Sequence, residues 1–269
     1  MKNLRYSSRI KASPWRKISL GSWRPTGDSS TYSWDDLDIT ELEKYAEEQA
    51  LNIHTMILKA LSLTVDKHPE VNRTVRFGGI YQREVSSVFF HVLPDEGDDL
   101  SGLVFRAAHE KATEELNKAF LFRVKKAKEG KAPLEEGKKI FQIVPGLLSK
   151  WVLDVMSFVN YSLNLRVGAP ADAFGSVMLT SVGSLDIPRA LTPIAPYTKN
   201  SMVVSMGTAR NAAVVKDGVP AVSRLMTFGF VFDHRLMEGK GFASFIKEFR
   251  VHFRTTRSPD QIERIEWMQ

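Results

Sequence analysis

The chain has 269 residues, of which 43% are apolar and 25% charged, so it can form a globular core and is not a disordered protein. It contains no cysteine, which excludes disulfides, thiolate metal sites and cysteine nucleophiles and is compatible with the cytoplasm, where we expect the protein. The formal net charge is +6, and residues 1–17 carry several basic side chains and no acidic one. We interpret this segment as a basic, irregular arm ahead of one domain at residues 18–269. Because no recognisable nucleic-acid-binding module accompanies the arm, we expect no nucleic-acid partner.

The longest apolar stretch, residues 140–165, is interrupted by a proline and by polar side chains, so it is a poor membrane span and an integral membrane protein is not expected. The N-terminus also lacks the apolar run of a secretory signal. The stretch predicts a helix that is buried in the protein or against a neighbouring subunit. Two alternatives stay open, namely that it lies on a membrane surface or lines an apolar pocket.

Hydrophobic periodicity and turn residues predict the elements of the first half of the chain. In order, they are a short strand at Ile18–Trp23, an extended segment at Ser33–Asp36, a helix capped by Thr40 and ending near Ala50, a helix at Ile53–Lys67 stopped by Pro69, strands Arg73–Phe77 and Ile80–Glu84 joined by Gly78-Gly79, and a strand at Val85–Leu93.

The second half begins with predicted helices and continues mostly as strands. In order, we expect a long helix from near Asp99 into the 120s, a turn at Lys125–Lys139, helical residues 140–165, strands Ser176–Val182 and Ser201–Ala209, a hairpin of Asn211–Lys216 and Val219–Phe232 around Asp217-Gly218, and a final helix with Phe242, Phe245, Ile246, Phe249 and Phe253 on one face. Helices and strands in this order indicate a single α+β domain.

The turn between the last predicted strand and the last helix contains a candidate catalytic residue. The segment Asp233–Gly239 reads Asp-His-Arg-Leu-Met-Glu-Gly, with a buried strand before it and an amphipathic helix after it. A histidine at such a junction is rigidly held beside the end of the sheet, which suits a general base. A purely structural, hydrogen-bonding role is the alternative for a lone histidine in this context.

This motif resembles the Asp-His-Arg-x-x-Asp-Gly signature of the dihydrolipoyl acyltransferase components of 2-oxo acid dehydrogenase complexes and the His-His-x-x-x-Asp-Gly signature of chloramphenicol acetyltransferase. The chain departs from both at Glu238, where aspartate is usual. Further similar segments cover about residues 16–255, among them Pro69-Glu70-Val71-Asn72, Phe89-Phe90-His91, Leu179-Thr180-Ser181-Val182-Gly183 and Thr192-Pro193-Ile194.

The resemblance implies a chloramphenicol acetyltransferase-like α+β fold, in which a mixed sheet is flanked by helices and subunits form trimers or higher assemblies. It also implies transfer of an acyl group between a coenzyme A thioester and a thiol, hydroxyl or amine acceptor that the sequence does not identify. In this family the active site lies between subunits. Coenzyme A enters as a co-substrate, and since no histidine pair has metal-ligand spacing, no metal is expected.

The family's site roles fall on named positions of this chain. His234 is the expected general base, and Thr180 is the expected hydroxyl that stabilises the oxyanion. Ser181 is the fallback for Thr180, and strand alternation points it to the opposite face of the sheet. Glu238 stands at the family's acidic position close to the reaction centre. Asp233, Arg235 and Gly239 are expected to support the turn structurally, and no coenzyme A-binding residues are assigned.

We expect a stand-alone acyltransferase domain at residues 18–269, without the lipoyl and subunit-binding domains usually fused ahead of it. The alternative is a non-catalytic trimer or cage scaffold of the same fold. Glu238 favours the scaffold, whereas the retention of both His234 and Thr180 favours the enzyme.

Overall fold

The computed structural model describes residues 3–11, 29–94, 101–133, 135, 144–167 and 170–255, so the predicted strand Ile18–Trp23 lies outside the described residues. In chain order, the helices and strands are β1 Tyr6–Ile10, β2 Ser30–Asp38, α1 Thr40–Glu48, α2 Ile53–Lys67, β3 Arg73–Arg76, β4 Gly79–Arg83, β5 Ser87–Val92, β6 Ser101–Arg106, α3 Thr113–Lys128, α4 Gly146–Ser157, β7 Val177–Ser181, β8 Met202–Met206, β9 Arg210–Lys216, β10 Val219–Asp233 and α5 Gly239–Thr255.

A seven-stranded mixed sheet forms the centre of the molecule, with strand order β2-β10-β8-β7-β5-β6 and β9 paired to β10. The pairs β5–β7 and β7–β8 are parallel, and the other pairs are antiparallel. The hairpin of β9 and β10 turns at Asp217-Gly218, both with positive φ, as the sequence predicts. The predicted α+β mixed sheet is therefore present.

Helices α2, α3 and α5 cover one face of this sheet and form the main core. Phenylalanines at helical spacing on α5, Phe245, Phe249 and Phe253, are buried against Phe228 and Phe230 of β10. Such edge-to-face aromatic pairs add to the free energy gained by burying apolar area. Among the described residues, the opposite face carries a small buried cluster, Phe89, Met178 and Val203, so most of their packing lies on the helical side.

A second, three-stranded sheet of order β1-β4-β3 contains part of the N-terminal arm. The expected irregular structure is wrong for Tyr6–Ile10, because these residues pair with β4 as a strand. The predicted turn at Gly78-Gly79 is also displaced by one residue. Phe77 and Gly78 take the positive φ angles of the turn, and Gly79 is already paired with Arg76 in the sheet.

Two predicted helix starts are wrong. The helix expected from Asp99 begins only at Thr113, because Ser101–Arg106 adds to β5 as the antiparallel edge strand β6. Thr40 is not an N-cap, since Ile39 holds that position and the carboxylate of Asp38 accepts the Thr40 N–H at 3.0 Å.

Residues 140–165, expected as a helix buried in the protein or against a neighbouring subunit, form helix α4 only at Gly146–Ser157, and residues 140–143 lie outside the described residues. Within one chain the helix is not buried, and Leu147, Trp151 and Leu148 are 93%, 70% and 51% exposed. A π-helical turn at Phe158–Ser162 follows it. The predicted turn at Lys125–Lys139 starts late, because α3 continues to Lys128.

Candidate active site

The turn after β10 is held by an internal ion pair. The Arg235 guanidinium donates hydrogen bonds of 2.9 and 2.6 Å to the two carboxylate oxygens of Asp233, which is 5% exposed. Burial alone would lower the pKa of Arg235, but the hydrogen bonds and charge of Asp233 outweigh it and hold that pKa above its usual value. The backbone N–H of Arg235 also donates to Asp233, so the carboxylate closes the turn around His234.

His234 occupies the middle of this turn with its side chain half-buried. Its backbone N–H donates to the Ser29 carbonyl at 2.9 Å, which ties the turn to the segment before β2. The carboxylate of Glu238, four residues further along the chain, lies 3.7 Å from the His234 Nε2 atom. The neighbouring Leu236 and Met237 are buried and anchor the segment to the core.

Gly239, the first residue of α5, has open space where a Cβ atom would stand, so the turn does not require glycine there for steric reasons. Helix α5 starts directly at this point, because the Phe242 N–H donates to the Glu238 carbonyl at 2.9 Å. Glu238 therefore has a fixed backbone at the helix start.

Thr180 lies on β7, on the face of the sheet opposite the main core. Its neighbours Leu179 and Met178 belong to different clusters, which shows the expected alternation along the strand. Thr180 is buried, and within the described part of the chain its hydroxyl makes no hydrogen bond.

The hydroxyl of Ser181, in contrast, has a hydrogen-bond partner within the chain. It lies 3.3 Å from the Nε2 atom of His54, and the Nδ1 atom of the same ring lies 3.2 Å from the Asn52 side-chain oxygen. Burial lowers the pKa of His54, so the ring is neutral and joins both partners. His54 is not among the residues predicted from the sequence, and its one sequence signal is Asn52, which caps α2 by accepting the His54 N–H.

The sheet register places His234 and Thr180 at opposite ends of the sheet within one chain. Thr180 pairs with Ser205, which pairs with Gly229, and His234 follows Gly229 by five residues. At about 3.3 Å per residue and about 4.8 Å per strand, the two residues are separated by about 16 Å along β10 and about 10 Å across the sheet. One chain alone therefore does not bring the two candidate catalytic side chains together.

The surroundings of His234 contain charges of both signs, and Lys199 adds a basic group to a turn that already holds two carboxylates. Burial and the charge of Arg235 lower the pKa of Lys199, which adjoins this turn and also senses Asp154 of α4. Arg210 and Lys216 lie elsewhere, in ion pairs with Asp36 and Asp38.

Over the described ranges, His, Asp and Glu side chains form no cluster of three that could ligate a metal ion. Among the helices of those same ranges, none combines the length and the apolar character that crossing a membrane requires.

Comparison with known proteins agrees with the sequence motifs. Residues 170–258 match the family model described as 2-oxoacid dehydrogenases acyltransferase (catalytic domain). A search of curated proteins finds no match. Residues 170–258 therefore carry an acyltransferase catalytic-domain sequence, which includes Thr180, His234 and Glu238.

Solved structures confirm the fold. The cubic core of the pyruvate dehydrogenase multienzyme complex is 16% identical, with a TM-score of 0.63 over 93% of this chain and 94% of that chain. A dihydrolipoamide acetyltransferase of Azotobacter vinelandii is 17% identical, with a TM-score of 0.62 over 92% of this chain and 93% of that chain. Chloramphenicol acetyltransferase is 10% identical, with a TM-score of 0.53 over 91% of this chain and all of that chain. The chain has the chloramphenicol acetyltransferase-like fold, as its resemblance implied.

Proposed function

We propose that this protein transfers an acyl group between a coenzyme A thioester and a thiol, hydroxyl or amine acceptor, in sites formed between copies of the chain. The match of residues 170–258 to an acyltransferase catalytic domain supports the reaction class. The observation that carries the proposal is the placement of His234 and Thr180 at opposite ends of one sheet, since a shared site then needs a second chain.

In the proposed reaction His234 is the general base. Its imidazole removes the proton of the attacking acceptor as the new bond to the thioester carbonyl forms, and the resulting imidazolium then protonates the departing coenzyme A thiolate. Such proton transfer contributes about 10²–10⁴-fold to the rate. The Asp233–Arg235 ion pair fixes the backbone on both sides of His234 and so orients the ring.

Glu238 stabilises the imidazolium formed in this step, because its carboxylate lies 3.7 Å from His234 Nε2. In the similar Azotobacter enzyme, a serine, a histidine and an asparagine four residues after that histidine were investigated for roles in the catalytic mechanism. His234 and Glu238 have the same spacing, which supports a catalytic position for Glu238.

Thr180 of a neighbouring chain supplies the hydrogen bond to the tetrahedral oxyanion. Its hydroxyl has no partner among the described residues, whereas the Ser181 hydroxyl is held by His54. A free donor of this kind is worth about 10²–10³ in rate. Because the Ser181 hydroxyl already contacts His54, we assign the hydrogen bond to the oxyanion to Thr180.

The chain assembles as a homotrimer or a higher homo-oligomer in this proposal. Apolar side chains of α4 and of the turn that follows it are exposed in the single chain, and exposed apolar surfaces are typical of subunit contacts. We call this the α4 surface, and it consists of Leu147, Leu148, Trp151, Val155 and Phe158.

The test is release of free thiol from a panel of acyl-coenzyme A thioesters, with and without dihydrolipoamide as acceptor. We expect turnover by the wild type, loss of about 10²–10⁴-fold in kcat for His234→Ala, and normal oligomer size for that variant. His109→Gln is the matched control, because His109 is also half-buried and lies outside the site, at the Ala108–Glu110 turn.

The outcomes separate the enzyme from a scaffold. Equal activity of the wild type and the His234→Ala variant would exclude His234 as the base. A stable oligomer that neither binds acetyl-coenzyme A nor releases thiol from any member of the panel would identify the protein as a non-catalytic scaffold. Dependence of turnover on dihydrolipoamide would identify the acceptor class.

A further inference from the structure

His91, a residue without a role in the reaction described above, lies beside Thr180 in the sheet. Strands β5 and β7 are parallel, and Phe89 and Phe90 pair with Met178 and Leu179. Extending this register by one residue places His91 opposite Thr180 on the neighbouring strand. Side chains at one level of a parallel pair project from the same face and lie about 5 Å apart at their Cβ atoms. His91 and Thr180 therefore share one face, on the side away from the main core.

Aromatic packing holds the His91 ring on its other side. Its partner on β6 is Gly102, and a Cβ atom there would lie 2.1 Å from the Phe89 ring, which occupies that space. The Phe89 and His91 rings meet edge to face with centroids 4.9 Å apart. Polar contacts of His91 must therefore come from the side of Thr180 or from a molecule bound over that face.

The two ring nitrogens of His91 differ in access. The Nδ1 atom is buried without a hydrogen-bond partner, and within the described residues Nε2 makes no hydrogen bond either but is not sealed from solvent. Because Nδ1 is sealed and Nε2 is not, a donor role for His91 toward a bound molecule requires the tautomer with its proton on Nε2. Burial also lowers the pKa of His91 to about 4, so the ring is neutral near pH 7 and has one N–H to donate.

We propose that the Nε2–H of His91 donates a second hydrogen bond to the same thioester oxyanion that Thr180 binds. The inference rests on the proposed acyl transfer, because only that reaction develops the oxyanion at Thr180. Two donors on adjacent strands form a rigid cradle that needs no rearrangement as the negative charge develops. The proposal accounts for a histidine that is kept neutral and unpartnered next to a free hydroxyl.

The test compares His91→Leu with His91→Gln in the same thiol-release assay. Leucine removes the donor, and we expect kcat to fall about 10–10²-fold with little change in KM, since the contact forms in the transition state. Glutamine keeps an N–H donor at similar reach, and we expect it to recover at least a tenth of wild-type kcat. Oligomer size and urea unfolding of each variant verify that the fold is intact.

A double variant tests whether the two donors serve one oxyanion. If they do, His91→Leu with Thr180→Val loses less activity than the product of the two single losses. Wild-type kcat in His91→Leu, or equal loss in the leucine and glutamine variants, would overturn the proposal while leaving the acyltransferase function intact. A wild type without turnover would overturn both. Should His91→Leu fail to assemble, His91→Phe replaces it with the same two outcomes.

Discussion

The adjacent residues Thr180 and Ser181 both carry hydroxyls, but the Ser181 hydroxyl contacts His54, whereas the Thr180 hydroxyl makes no hydrogen bond within the described residues. Substitutions should separate their roles. We expect Thr180→Val to lower kcat about 10²–10³-fold and Thr180→Ser to retain most of it, because serine keeps the donor. Ser181→Ala should leave kcat nearly unchanged but lower the free energy of unfolding by about 1–3 kcal/mol, since it removes a partner of buried His54. Steady-state kinetics and urea unfolding measure both, and a larger kcat loss for Ser181→Ala than for Thr180→Val would reverse the assignment.

Buried neutral histidines make stability depend on pH. In the unfolded chain the pKa of a histidine is about 6.5, whereas burial lowers the pKa of His91 in the folded chain to about 4. The unfolded state therefore holds more protons between these values, and the free energy of unfolding falls as the pH drops from about 6.5 to about 4. Burial of His54 acts in the same direction. Urea unfolding across this range should show a shallower decline for His91→Gln, and an unchanged slope would contradict the account.

The sequence predicts the position of a single residue where the adjacent residues in the chain determine it. The placement of His234 between a strand and a helix follows from hydrophobic periodicity on either side, and the structure has that turn. The contact of His54 with Ser181 joins residues 127 positions apart, and the neighbourhood of His91 and Thr180 depends on pairing two strands far apart in the chain. Sequence patterns do not specify such register.

A buried ion pair links secondary-structure elements around the small sheet. Arg83 of β4, with a side chain 1% exposed, donates to Asp172 at 2.6 Å and to the Gly175 carbonyl at 2.9 Å. The Ser87 hydroxyl of β5 donates to the other Asp172 oxygen at 3.1 Å. The network therefore joins β4 and β5 to the segment before β7, and Arg83 is its centre.

Replacement of Arg83 by methionine should destabilise the fold strongly. It leaves the Asp172 carboxylate buried without its charged partner, which costs about 3–5 kcal/mol of unfolding free energy. Lys44→Met is the matched control, because the Lys44–Glu48 pair is 69% and 55% exposed and should contribute about 0.5 kcal/mol or less. Urea unfolding compares the two, and equal effects would show that the Arg83–Asp172 pair does not stabilise the element junction.

The sequence predicts helices with a strong hydrophobic periodicity well. It does not predict β6, because that strand depends on pairing with β5. Helix α2 has the predicted bounds, because its apolar stripe, its Asn52 cap and the following Pro69 all agree. Ser101–Arg106 was assigned to a helix, but pairing with β5 makes it a strand, and local sequence carries no signal for that partner.

At the scale of the whole molecule, the α4 surface is one exposed apolar feature that the single chain does not explain. Trp151 is 70% exposed on it, beside Leu147 at 93%. If it is a subunit contact, Trp151→Lys should weaken assembly, because the charge would have to be buried at the interface. Sedimentation against protein concentration measures this, with Lys44→Met as a surface control. An unchanged oligomer would place the contact elsewhere.

The shape of the single chain also explains why the site could not be assembled from the sequence alone. The motif identifies His234 and the strand identifies Thr180, but the sheet register keeps them about 16 Å apart along β10. In the proposed function the two side chains meet only between chains of an assembly, and the sequence indicates such a site only through its family resemblance.

The most direct test of the central claim is to mix two inactive variants, His234→Ala and Thr180→Val. Random exchange of subunits in a 1:1 mixture gives each interface a probability of one half for an intact His234 and one half for an intact Thr180, so about a quarter of wild-type activity should return. Denaturation and refolding of the mixture ensures exchange, and differently tagged chains verify mixed oligomers. Activity near that level would establish a site shared between chains. Mixed oligomers as inactive as their parents would contradict the account.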